Sequence, residues 1–229
     1  MLAASIVALG AGATTARSAD SQLLDVSRQV TEIQRRMAKL LETGKAADQR
    51  KLDLVAACGQ LPQPSQVFRR WGDFADYALA PQGDLTESSS WTLGVNTAVV
   101  AEHDPYTPGT RSLRLLAGGQ AATPVICVNQ LHPTIRFFAR SNGSAASTLN
   151  VEVLYQDVSG RIASLRIARL RALSWWAPTI VVPYYVNALA ALSPEGVTAV
   201  AFRFRAEGVA AASGGWTIGS LYVDPFVSR

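Results

Sequence analysis

From Gly59 onward the chain is written in short runs that alternate apolar and polar residues and are separated by Gly, Pro, Asn and Ser. A period of two sends successive side chains to opposite faces of a strand, so such runs bury their apolar halves only by forming facing sheets. In residues 134–140, Ile135, Phe137 and Ala139 share one face, while Arg136 and Arg140 share the other. Leu149, Val151, Val153 and Tyr155 oppose Asn150 and Glu152, and Val200, Phe202 and Phe204 oppose Arg203 and Arg205. The pattern predicts one buried and one wet face on each strand. Strands are predicted near residues 77–79, 91–95, 98–102, 112–116, 123–128, 134–140, 149–156, 162–168, 179–182, 198–205 and 216–223. Asn and Gly at 141–144 and Gly at 158–161 tolerate positive φ and predict meander turns. No helical period alternates with these strands, which excludes a parallel α/β sheet and its ligand crevice.

Composition sets the boundary of this domain. Residues 1–58 contain no Phe, Tyr or Trp and hold all three lysines of the chain, whereas every aromatic residue lies beyond them. Residues 2–13 form an apolar stretch of signal-peptide length followed by small residues at Thr14 and Ala16, although no basic residue precedes it. Residues 1–19 are therefore expected to be a signal peptide or an uncleaved apolar leader, and the protein to be secreted or held at the cell surface. No other segment is long and apolar enough to span a bilayer. Within residues 20–41, Leu23, Val26, Val30, Ile33, Met37 and Leu40 fall at alternating spacings of three and four, a heptad seam on a helix. The seam needs a partner: a second copy of the chain, the chain's own sandwich, or the second helical run at 46–57. Residues 59–80, with their prolines, read as an extended linker and a first strand, and 81–229 as the sandwich.

Charge does not select a partner. The net +4 arises from an excess of two basic residues in each part, with no basic stripe legible along the sequence, so nucleic acid is not expected. Abundant Ala and Arg with scarce Lys is the signature of a GC-rich genome. The two cysteines, Cys58 and Cys127, have no neighbour that would make a metal knuckle or redox pair. A disulfide between them suits an exported chain and would contribute up to about 4 kcal/mol by loop closure; the alternative is two buried thiols.

The order of features resembles the galactose-binding-like jelly roll shared by many carbohydrate-binding modules. GDLTESSSWTLG resembles its opening segment, RSLRLLAG and TIRFFARSNG its third and a central core strand, and GGWTIGSLYVDP its final strand, across residues 81–227. CGQLPQP and WGDFADYAL are also similar to stretches of uncharacterised secreted proteins from high-GC Gram-positive bacteria. The resemblance implies a two-sheet antiparallel jelly-roll sandwich with no required cofactor. It also implies a structural calcium site at the sandwich edge, on Asp84, Glu87 and Asp224, although turn aspartates give the same letters. Leu85-Thr86-Glu87 stands where the family commonly has a Phe-Glu pair.

Sugar recognition needs flat aromatic faces and groups that bond hydroxyls. The candidates are Trp175 and Trp176, which on a strand would face opposite ways, Tyr184 and Tyr185, and Arg136 and Arg140, with Arg203 and Arg205 as further face arginines. Trp91 and Trp216 fall in alternating strands and read as core or sheet-edge residues. His103–Asp104 is the one His–acid neighbour pair, and His132 precedes Pro133 in a turn. No nucleophile elbow, HExxH, phosphate-cradling loop or paired Cys motif occurs. A glycosidase-like carboxylate pair drawn from Glu87, Asp104, Glu152 and Asp157 has no marking feature. The reading is an exported, non-enzymatic module that binds glycan or cell-envelope polymer. The alternative is a structural protein that assembles through residues 20–41.

Overall fold

The computed structural model describes residues 61–224 except 109, 142–146, 158–160, 172, 194–195 and 209–214. All belong to the unit Lys51–Arg229, one of the two into which the chain divides. The leader, the heptad seam, the run at 46–57 and Cys58 lie outside the described residues.

The described chain is mainly β. In order the strands are β1 (Ala78–Leu79), β2 (Thr92–Leu93), β3 (Thr97–Val100), β4 (Ser112–Leu116), β5 (Gln120–Ala122), β6 (Ile126–Val128) and β7 (Thr134–Ser141). They continue as β8 (Thr148–Gln156), β9 (Ile162–Arg171), β10 (Ala177–Pro178), β11 (Val182–Pro183), β12 (Thr198–Glu207) and β13 (Gly215–Asp224). The first sheet runs β10-β7-β13-β4-β3, with β1 also paired to β13 and β11 to β7. The second runs β2-β5-β12-β8-β9, with β6 also paired to β12. Every pairing is antiparallel. No helix among the described residues is long and apolar enough to cross a membrane.

The alternating residues do seal the space between the sheets. Ile135, Phe137, Val151, Val153, Phe202 and Phe204 are fully buried, and Phe137 of one sheet meets Phe204 of the other edge-to-face at 5.2 Å. Each such ring contributes about 2–3 kcal/mol by leaving water. Trp91 and Trp216 also lie in this core.

Four expectations change. The run 123–128 is broken: β5 ends at Ala122 and β6 begins at Ile126, both on β12, because Pro124 between them has no N–H to donate to a ladder. The strand predicted at 179–182 is replaced by two short pairings to β7 at its two ends, Ala177–Pro178 and Val182–Pro183, each ending in proline. The meander expected after β7 is not found, since β7 and β8 lie in different sheets, whereas β8 and β9 pair directly. Finally, β7 has no wet face: from Ile135 to Ala139 every residue is buried.

That last difference arises from residues 65–80, which do not run out as a linker. Ser65 and Tyr77 exchange backbone hydrogen bonds of 2.9 Å in both directions. Between them the 3₁₀ turn Arg69–Trp71 ends at Gly72, whose φ of 80° suits a residue without a Cβ. The closed loop presses Phe68 onto the outer face of the first sheet, where Phe68, Tyr77, Phe138 and Tyr222 form a second, smaller core.

Candidate functional site

The outer face of the first sheet carries a line of aromatic and guanidinium groups drawn from four segments. Arg70 and Trp71 come from the 3₁₀ turn, Tyr106 from the loop between β3 and β4, Phe138 and Arg140 from β7, and Trp176 from the bend before β10. The Arg70 guanidinium lies 4.9 Å from the ring centroids of both Trp71 and Tyr106. Those two rings meet edge-to-face at 4.7 Å, and Tyr106 lies 5.0 Å from Phe138. The Tyr106 hydroxyl donates to the Trp176 carbonyl at 3.2 Å, and the Arg140 guanidinium sits 5.6 Å from the Trp176 ring. Each exposed cation–π contact is worth about 0.5–1 kcal/mol, so the line is held by many small terms.

Two carboxylates fix its geometry. Asp104 is fully buried; its Oδ1 accepts the N–H groups of Tyr106 at 3.0 Å and Thr107 at 2.8 Å. Its Oδ2 accepts the N–H and hydroxyl of Ser220, both at 3.3 Å, where β13 bulges between Ile218 and Leu221. Gly219 makes room for this carboxylate, since a Cβ there would stand 2.6 Å from Oδ2. Glu102 binds Arg140 at 2.5 Å and Arg114 at 3.3 Å.

The sequence candidates do not all reach this surface. Trp176 and Arg140 come together on it, and Trp175, the chain neighbour of Trp176, is 71% exposed. Arg136 is buried under the Phe68 loop. Its Nε donates to the Thr179 carbonyl at 2.7 Å, it pairs with Asp73, and its guanidinium lies 4.5 Å from the Phe68 ring. Burial pushes the Asp73 carboxyl up, but the Tyr77 hydroxyl, the Ala75 N–H and Arg136 more than offset this and hold it below the usual carboxylate range. Tyr184 is buried edge-to-face on Phe202 at 5.2 Å, and burial drives its hydroxyl well above the usual phenol range. Tyr185 is 71% exposed. It follows β11, whose Pro183 pairs with Thr134, whereas Ala177 pairs with Ala139 at the other end of β7. Five residues of strand, roughly 17 Å, separate the two tyrosines from the tryptophans.

The calcium site implied by the resemblance does not assemble. No group of three or more His, Cys, Asp or Glu side chains placed to hold a metal occurs among the described residues. Asp84 accepts the N–H and hydroxyl of Thr86 at 3.2 and 2.9 Å, and Glu87 accepts from Gln82 at 3.3 Å. Asp224 accepts from Thr134 at 3.2 Å; its carboxyl is raised by burial, with Asp73 and Asp76, not Asp84, as its acidic neighbours. The His–acid pair makes no acid–base couple either: His103 contacts the Asp104 backbone carbonyl, at 2.7 Å, while the Asp104 carboxylate serves the loop. His132 is lowered by burial and bonds Asn129 at 2.7 Å. Glu152 faces outward on the second sheet, and Asp157 accepts the Arg161 N–H at 3.0 Å in the β8–β9 turn.

Sequence reasoning missed Arg70, Trp71 and Tyr106. The available signal was Arg-Arg-Trp-Gly, a cationic and aromatic cluster closed by a turn glycine, inside a stretch taken for linker.

Comparison with known proteins gives likeness of structure alone. No protein-family model and no curated protein matches the chain. The fold is similar to a Clostridium thermocellum endo-1,4-beta-D-xylanase 10B fragment of CBM22-1 and GH10 modules complexed with xylohexaose: 15% identity, 61% of this chain, 26% of that chain, TM-score 0.42. It is similar to the CBM22-1 xylan-binding domain from Paenibacillus barcinonensis: 14% identity, 68% of this chain, 97% of that chain, TM-score 0.43. It is also similar to the enzymatically active domain of tailspike protein 4 of Bacteriophage CBA120: 16% identity, 61% of this chain, 20% of that chain, TM-score 0.40. The chain thus spans about a quarter of the xylanase fragment and a fifth of the tailspike domain. None of these likenesses fixes a ligand for this chain.

Proposed function

We propose that the sandwich is a non-catalytic glycan-binding module of an exported protein, with the outer face of the first sheet as its binding surface. The observation that supports this most is the exposed Trp175, next in the chain to Trp176, whose ring meets the Arg140 guanidinium. An indole face stacks on the apolar side of a pyranose, and a guanidinium held by Glu102 is oriented to donate to hydroxyls. Export to the cell surface, with a cell-envelope polymer as ligand, and a Cys58–Cys127 disulfide complete the reading. Retention on insoluble neutral polysaccharides tests it. Trp175→Ala is expected to weaken retention by roughly tenfold, about 1.4 kcal/mol, without changing the melting temperature. No retention of the parent chain on any polymer, or equal retention of the variant, contradicts the reading.

A second reading draws on the heptad seam. Six apolar residues at alternating spacings of three and four favour assembly of chains through residues 20–41, with the sandwich displayed on the assembly. Light scattering of the full chain and of a chain starting near Cys58 separates the readings; equal monomer masses remove assembly.

A further inference from the structure

We infer that the outer face of the second sheet is a separate binding surface for a carboxylated polysaccharide. Strand register places its residues in three rows. Arg203 pairs with Glu152, which pairs with Arg166; Arg205 pairs with Asn150, which pairs with Arg169; Glu207 pairs with Thr148, which pairs with Arg171. Arg166 and Arg169 are three residues apart, a spacing that on a regular strand would send them to opposite faces. The β8–β9 register shift between Val151 and Glu152 inserts one extra residue and returns both to the outside. Five arginines and two glutamates thus share one face, an excess of three positive charges on neighbouring strands.

Among the described residues, only part of this charge is neutralised. Glu152 is claimed by Arg203, through an Nε bond of 2.7 Å, and by Arg205 at 3.7 Å. Arg166, Arg169 and Arg171 are exposed, with no ion pair among the described residues. Edge protection explains charged residues and a bulge on β9, which is an edge strand. It does not explain Arg203 and Arg205, which stand on β12 in the middle of the sheet.

The chemistry of the face selects the polymer. Guanidinium groups pair with carboxylates through two parallel N–H bonds, and rows two residues apart repeat at roughly 7 Å along the strands, a spacing that suits a linear chain of charges. Between Arg205 and Arg169 lies Asn150, 2% exposed, with its Oδ1 lacking any hydrogen-bond donor. A ligand bearing hydroxyls beside its carboxylates satisfies that acceptor once the flanking arginines turn to the polymer. No Phe, Tyr or Trp side chain stands in these rows to stack a base, which disfavours single-stranded nucleic acid.

The test is retardation of the full chain by immobilised polygalacturonate at low salt, beside single- and double-stranded DNA of matched charge. Polygalacturonate is expected to retain the chain, DNA to retain it less, and the triple variant R166A/R169A/R171A to lose at least about tenfold, with a shallower dependence on salt. The control R69A/R111A removes two exposed arginines elsewhere and is expected to bind as the parent does. An unchanged melting temperature shows that the triple variant is folded. Equal retention of the triple variant, equal loss in the control, tighter binding of DNA, or no retention of the parent chain overturns the inference. Retention of the parent chain on insoluble neutral polysaccharide reports the aromatic surface separately, so either surface can fail alone.

Discussion

The outer faces of both sheets carry arginines, and the two faces differ in what covers them. On the first sheet, Arg136 is enclosed by the Phe68 loop, bonded to Asp73 and Thr179 and stacked on a ring. On the second, Arg166, Arg169 and Arg171 stand in solvent. Alternation fixes which side of a strand a residue takes, and a segment far away in sequence decides whether that side is wet. The central strands show the same contrast: β13 is buried from Gly215 to Val223, whereas β12 has an outer row that includes exposed Arg205 and Glu207.

The largest effect expected from this difference is at Phe68. Phe68→Ala removes a fully buried ring from the second core and is expected to cost about 4 kcal/mol in chemical denaturation. A cost below about 1 kcal/mol would mean that the loop is only loosely attached to the sheet. Next, Arg136→Ala leaves the Asp73 carboxylate under the loop without its cation and is expected to cost about 3 kcal/mol. Arg169→Ala on the open face is expected to stay within about 0.5 kcal/mol. Similar costs for the two arginines would erase the distinction between the faces.

The smallest effect concerns acid. Asp73 titrates below its unfolded value, so its contribution is complete above the unfolded pKa, about 3.9, and is lost as pH falls through the folded one. The Phe68 loop is therefore expected to loosen only below about pH 4, measured by the fluorescence of Trp71, and Asp73→Asn is expected to remove that dependence. Asp224, raised by burial, works in the opposite direction and gains stability as pH falls, so the comparison with Asp73→Asn isolates the first group. Loosening that begins near neutral pH contradicts this assignment.

How much of this was legible in the sequence depended on how local the cause was. Ile135, Phe137 and Ala139 announced a core face because the period of two is written along one strand. Phe138, set between Arg136 and Arg140, was the one letter on β7 showing that the other face was also covered, and its covering residue, Phe68, lies 70 positions away. The turn residues at 141–144 marked a reversal but not the sheet in which the next strand would lie. Strand β5, Gln-Ala-Ala, escaped because small residues carry little alternation.

The candidate surfaces divide in the same way. Trp176 and Arg140 were both named from sequence, yet their meeting depends on β10 pairing with β7. The basic rows of the second sheet were invisible along the chain, because they exist only across β12, β8 and β9 and depend on a bulge that register alone reveals. The acidic candidates were less legible: Asp84, Glu87, Asp104 and Asp224 each accept hydrogen bonds from a turn, a loop or a strand neighbour, partners that the letters alone do not reveal.

Arginine-specific modification of the folded chain with phenylglyoxal, read site by site by mass spectrometry, tests the difference between the faces most directly. Arg166, Arg169 and Arg171 should react readily, and Arg136 should react more slowly by an order of magnitude or more until the chain is unfolded. Reaction of Arg136 at the rate of Arg169 in the native protein would show that the first sheet has no covering layer.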